Sequence, residues 1–207
     1  MKKEILSIIN SLGGNTNNVK GLSLQEDLQA ITFGTVLYPR PVDTPWASAE
    51  DTEPIYGIGE FIDSNLKLLR TNKEAFYAQI IDKYFCLTET GYGQVFWQGN
   101  LFTPYKEGTS DFTEWQDWFN EDAVLNEIRK FTINPKPEFI HLFHSYGFPD
   151  NYYICLSDPN PENPTLLGTD HEQFFTKITN EGNMEDFLKT FMTKDEVLEI
   201  IKKKGVY

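Results

Sequence analysis

Phe139-Ile140-His141-Leu142-Phe143-His144-Ser145-Tyr146 and Tyr152-Tyr153-Ile154-Cys155-Leu156 stand on either side of Gly147-Phe148-Pro149-Asp150-Asn151. Both flanks are rich in aromatic and β-branched residues, and the segment between them holds the residues that favour turns. The pattern predicts two strands returning on each other, and hence an antiparallel pair. Downstream, Asp158-Pro159-Asn160-Pro161-Glu162-Asn163-Pro164 reads as a proline-stiffened turn into a short strand, Thr165-Leu166-Leu167. Upstream, Tyr84-Phe85-Cys86-Leu87-Thr88 and Gln94-Val95-Phe96-Trp97 flank Thr90-Gly91-Tyr92-Gly93 and read as a second hairpin.

Helical signals surround these strands. An amphipathic stretch over residues 3–12 stops at Gly13-Gly14, where a left-handed backbone is free of steric cost. Ser23-Leu24-Gln25-Glu26 is a capping box that opens a helix to about residue 30. Residues 31–58 contain Pro39, Pro41, Pro45 and Pro54 and are expected to be extended and irregular. Apolar spacing predicts a helix over 73–82 and another over 111–131, with Thr113-Glu114-Trp115-Gln116 as a box inside the latter. Asn183 is a candidate N-cap for a helix over 184–191, and Thr193-Lys194-Asp195-Glu196 opens the last one. The expected fold class is α+β: a mainly antiparallel sheet flanked by helices, in a single domain over 1–207.

Of 207 residues, 40% are apolar and 14% aromatic, enough to fill a core. No run reaches the roughly 18 apolar residues that span a bilayer, and the residues after Met1-Lys2-Lys3 lack the pattern of a signal peptide. Cys86 and Cys155 sit singly in apolar segments and read as core residues of a reducing compartment, so a cytoplasmic location is expected. Net charge is −13, from 31 acids and 18 bases, and the excess is concentrated. Residues 41–66 hold six acids and 107–128 hold seven, both without a Lys or Arg, while 150–186 hold eight against Lys177 alone. Such a surface repels nucleic acid and anionic membrane and attracts a basic protein. The candidate partner-binding face comprises Asp111, Glu114, Asp117, Glu121 and Asp122, together with Asp158, Glu162, Asp170 and Glu172.

Motifs for catalysis are missing: there is no G-x-S-x-G, CxxC, HExxH, GxGxxG or phosphate loop. Asp158, Asn160 and Glu162 alternate like the start of a calcium loop, but the intervening prolines and the missing glycine defeat that template. On a regular strand His141 and His144 point to opposite faces, which argues against a shared metal. Asp170-His171-Glu172 is the one cluster that would suit a small hydrolase or transferase, although neighbouring loop side chains seldom converge unaided. No catalytic residue, metal or cofactor is expected.

Residues 152–191 carry a family likeness. Tyr152-Tyr153-Ile154-Cys155-Leu156-Ser157-Asp158 leads through the proline turn to Asn163-Pro164-Thr165, then Gly168-Thr169-Asp170-His171-Glu172, then Asn183-Met184-Glu185-Asp186-Phe187-Leu188. This succession resembles the C-terminal half of SUKH-superfamily domains, which include the fungal Smi/Knr cell-wall synthesis regulators. On that likeness residues 81–192 are the SUKH-like core, 1–80 a divergent N-terminal part and 193–207 a closing helix. The resemblance implies a non-catalytic α+β binding fold. Many bacterial members resemble immunity proteins that neutralise toxins, and the alternative it implies is a regulatory or scaffold protein of the fungal kind.

Overall fold

A computed structural model describes residues 1–40, 55–88, 93–147 and 149–204. The chain opens with α1 (Lys3–Ser11), β1 (Gly14–Asn15), α2 (Leu24–Ala30) and β2 (Thr32–Phe33). Three helices come next: α3 (Ile58–Ser64), α4 (Leu66–Thr71) and α5 (Lys73–Tyr84). Strand β3 (Val95–Phe102) leads to α6 (Ser110–Phe119) and α7 (Asp122–Ile128). The remainder is β4 (Phe139–Ser145), β5 (Asn151–Cys155), β6 (Thr165–Thr169), β7 (Thr179–Asn183), α8 (Met184–Leu188) and α9 (Lys194–Lys204). The fold is α+β.

Strands β3 to β7 form one antiparallel sheet in which each strand lies beside its neighbour in sequence, while β1 and β2 pair separately. The predicted pair is present as β4 and β5, with Phe139 opposite Cys155 and Ile140 opposite Ile154. Its register shifts between His141 and Phe143, a bulge that inserts Leu142 and reverses the alternation beyond it. A second irregularity, between Trp97 and Asn100 of β3, falls at Gly99, whose φ of 64° suits glycine.

Helices cover both faces of the sheet, so the central strands β4, β5 and β6 carry apolar residues on both sides. On one face Ile140, Phe143, Ile154 and Leu166 pack with Ile5, Ile9, Leu28 and Leu188 from α1, α2 and α8. On the other, Phe102, Phe139, Tyr153 and Leu167 pack with Phe119, Val124 and Ile128 of α6 and α7 and with Phe175. A lateral cluster joins α3, α5 and α9 through Ile58, Phe76, Ile80, Val197 and Ile201. Backbone bridges Leu37–Val95 and Pro39–Phe191 tie the extended segment after β2 to the edge of the sheet and to the end of α8. No helix among the described residues is long and apolar enough to cross a membrane.

Several expectations are corrected. The first arm of the 84–97 hairpin is no strand. Tyr84 ends α5, its carbonyl accepts from the Tyr38 hydroxyl at 2.5 Å, and Phe85 stacks edge-on against Tyr38 at 5.3 Å. Burial in the lateral cluster therefore decides the fate of these aromatics, and β3 pairs with β4. The helix over 111–131 is two helices. Asn120 donates its side-chain amide to the Gln116 carbonyl at 2.7 Å and Glu121 turns extended, so the chain breaks and restarts. The cap of α6 is Thr109, not Thr113. Cys155 is buried, but Cys86 is only half-buried. Strand β7 and helices α3 and α4 were not foreseen. Pro41, Pro45, Pro54 and the acids Asp43, Glu50, Asp51 and Glu53 lie outside the described residues.

Candidate functional site

Helix α6 is built to show one face and bury the other. The Thr109 hydroxyl accepts from the Phe112 amide at 3.1 Å and so satisfies a donor that the first turn leaves free. Trp115, Trp118 and Phe119 recur at the three- and four-residue spacing of one helical face. They meet Phe174 and Phe175: Trp115 and Phe174 lie 4.7 Å apart, Phe119 and Phe175 4.9 Å apart, and the Trp118 indole donates to the Phe174 carbonyl at 2.7 Å.

The loop over 170–178 that supplies this socket is held from several directions. Asp170 is buried, and its carboxylate accepts from the amides of Glu172 (2.7 Å) and Gln173 (2.8 Å). Phe175 has φ of 56°, a left-handed conformation unusual for a bulky side chain and the only positive φ outside glycine among the described residues. Its amide donates to Thr169 at 3.0 Å, and its ring is enclosed by Tyr153 (5.0 Å) and Phe139 (5.1 Å). Packing thus over-determines a strained residue.

The acidic side chains fall into distinct groups. Glu114, Asp117, Glu121 and Asp122 are exposed on α6 and at the start of α7, and none of them forms an ion pair among the described residues. Glu172 is exposed on the adjoining loop. Asp111 is occupied: its carboxylate accepts from the Thr103 amide at 2.8 Å and hydroxyl at 3.1 Å. Asp158 stabilises its turn, accepting from the amides of Asn160 (2.7 Å) and Thr165 (2.9 Å). Glu162 is exposed and pairs with the amino group of Met1 at 3.4 Å. Asp158 and Glu162 precede β6 whereas Asp170 and Glu172 follow it, so a five-residue strand of about 15 Å separates the two pairs. The structure thus gathers four of the nine candidates on α6–α7 with Glu172 nearby, and gives Asp111, Asp158 and Asp170 to backbone bonding. Glu127, also on α7, turns to Lys130 and to the Ile178 amide.

Within Asp170-His171-Glu172 the three side chains do not bond to one another. His171 is exposed, and its Nδ1 lies 2.6 Å from the carboxylate of Asp150 at the β4–β5 turn. That hydrogen bond, assisted by the negative charge, raises the His171 pKa. Sequence reasoning missed Asp150, because 21 positions separate the partners. The expectation for His141 and His144 is corrected: the bulge at Leu142 turns both to the face that bears Tyr153. His141 stacks on Tyr153 at 4.8 Å, and its Nε2 is buried without a hydrogen-bond partner. Burial, then the nearness of His144, pushes the His141 pKa down to about 4, so the ring is neutral. Even so, no three His, Cys, Asp or Glu side chains are grouped to hold a metal ion among the described residues.

No family model, no curated protein and no solved structure matches the chain.

Proposed function

We propose that the chain is a non-catalytic, partner-binding protein of the immunity type, a SUKH-like domain that neutralises a basic toxin by presenting α6–α7 to it. The observation that carries this reading is the row of Glu114, Asp117, Glu121 and Asp122, exposed and without ion pairs on a helix pair anchored by Trp115, Trp118 and Phe119. Uncompensated charge on rigid backbone produces a directed field at low cost in ordering, and such a field speeds encounter with an oppositely charged surface. A toxin that acts on nucleic acid needs a basic surface for phosphates, and that surface is the complement of this one.

The test is co-purification with a candidate basic toxin domain, taken from a neighbouring gene if one encodes it, followed by binding measured across salt concentrations. The reading expects a stable complex whose affinity falls at least about tenfold from 0.1 to 0.5 M salt. A salt-insensitive complex, or charge reversal at Glu114, Asp117, Glu121 and Asp122 without effect, overturns it.

A further inference from the structure

Three loops at the end of the sheet where β4 begins enclose a shallow depression of about 470 Å³, lined by Tyr105, Lys106, Asn134, Lys136, Leu156 and Ser157. Its charge runs against that of the chain. In a protein of net charge −13, two lysines line it, and the only lining carboxylate among the described residues, Glu138, is held by Lys106 at 3.5 Å. Lys136 forms no ion pair among the described residues. Arg129 adds a third cation at the margin, near enough to Tyr105 to favour its ionised form. Burial outweighs that attraction and pushes the Tyr105 pKa up to about 12, so its hydroxyl stays neutral and donates to the Phe119 carbonyl at 3.1 Å.

The cationic side is also pre-set. Lys136 lies between Pro135 and Pro137, which fix their own φ and keep the residues before them extended. The Asn134 side-chain oxygen accepts from the Lys136 amide at 3.0 Å, and the Thr132 hydroxyl accepts from the Asn134 amide at 3.1 Å. Thr132 in turn shares a hydrogen bond with Ser157 at 2.8 Å, which joins this loop to the end of β5. A loop braced in this way loses little entropy when it meets a ligand. Tyr105 and Leu156 supply an apolar wall beside the charges, and the volume lies within the range of small-molecule sites.

We propose that this depression binds a small ligand through a phosphate or carboxylate group, with Lys136 and Lys106 as cationic contacts and Ser157 and Asn134 as neutral ones. The site is distinct from the exposed acidic face of α6–α7, which has the opposite charge, although Tyr105 reaches the Phe119 carbonyl at the end of α6. Amide NMR of the whole chain tests it, with inorganic phosphate and succinate titrated separately at constant ionic strength. Saturable shifts at Lys106, Lys136 and Ser157 are expected, and Lys136→Glu should weaken binding at least tenfold. Lys106→Gln should weaken it less, because Glu138 already shares that ammonium group. Lys177→Glu, on the 170–178 loop, should leave binding unchanged. Saturation by phosphate alone assigns a phosphoryl ligand, by succinate alone a carboxylate ligand, and by both the shared anionic chemistry. Shifts that never saturate, or that persist unchanged in both the Lys136 and the Lys106 variants, overturn the proposal.

Discussion

Helices α6–α7 and α8–α9 each carry five acids, but α6–α7 contains no Lys or Arg whereas α9 alone contains four lysines, and the two pairs hold their charge differently. On α8 and α9, Glu185 meets Lys189 at 2.6 Å and Lys2 at 3.3 Å, Glu196 meets Arg40 at 2.7 Å, and Glu199 meets Lys202 at 2.8 Å. On α6 and at the start of α7, Glu114, Asp117, Glu121 and Asp122 have no such partners among the described residues. Neutralised acids contribute to the local order of their helices, whereas unneutralised ones project a field into solvent. The difference teaches that the number of acids in a segment does not mark an interface. On the proposed reading the interface is set instead by how many of them the fold leaves uncompensated, and that depends on which lysines the tertiary structure brings near.

The largest way to break this contrast is to remove the socket under α6. Phe175→Ala deletes a ring that is 1% exposed and is enclosed by the aromatic side chains of β3, β4, β5 and α6. The expected loss is about 3–5 kcal/mol of unfolding free energy, measured by urea titration. A loss below about 1 kcal/mol would show that α6 does not depend on this loop. The next largest effect is on binding. Reversing Glu114, Asp117, Glu121 and Asp122 to Lys should slow association with a basic partner by about 10- to 100-fold at low salt. The matching reversal of Glu185 and Glu199 should leave the rate nearly unchanged, and equal effects from the two sets would erase the distinction.

A smaller, structural effect is expected at the start of α9. The Thr193 hydroxyl accepts from the Glu196 amide at 3.2 Å, and the Glu196 carboxylate accepts from the Thr193 amide at 2.8 Å. Thr193→Ala should cost about 0.5–2 kcal/mol in thermal or urea unfolding and leave partner binding as it was. This box was legible in the sequence because capping is local: four residues contain both halves of the device. The Ser23 box and the Asn183 cap were legible for the same reason. So was the β4–β5 pair, whose turn and flanks are contiguous. What could not be read depends on distant partners. Tyr84 and Phe85 have strand-like composition, but Tyr38 and Gly57 claim them for the lateral cluster. Strand β7, Thr179-Asn180-Glu181-Gly182-Asn183, is polar and glycine-bearing, and it is a strand because β6 lies beside it. The acidic residues of the candidate site were all visible as a list. Their division into bonded and uncompensated groups was not, since Asp170 and Asp158 look like Glu114 until their backbone partners are placed.

The smallest expected effect is a dependence on pH of opposite sign in the two regions. Hydrogen bonds to Lys189 and Lys202 hold the Glu185 and Glu199 carboxyls below their ordinary values. Their contribution is therefore present above the unfolded carboxyl pKa of about 4.3 and is lost as pH falls through the lower folded values. On the 170–178 loop the sign inverts. Asp150 raises the His171 pKa, so this clamp on the 170–178 loop contributes fully below the unfolded value of about 6.5 and weakens as pH rises through the folded one. His141 opposes it: with a folded pKa of about 4, it favours the unfolded chain increasingly as pH falls from about 6.5 to 4, so net stability alone cannot isolate the clamp. Site-resolved NMR can. In Asp150→Asn the His171 imidazole should titrate closer to 6.5, and the Trp118 indole proton bonded to the Phe174 carbonyl should exchange faster with solvent near pH 6. The Glu185 and Glu199 carboxyl titrations should not move. An unchanged His171 titration would sever the β4–β5 turn from the loop. An unchanged indole with a shifted His171 would mean that Phe174 and Phe175 hold the α6 socket by packing alone.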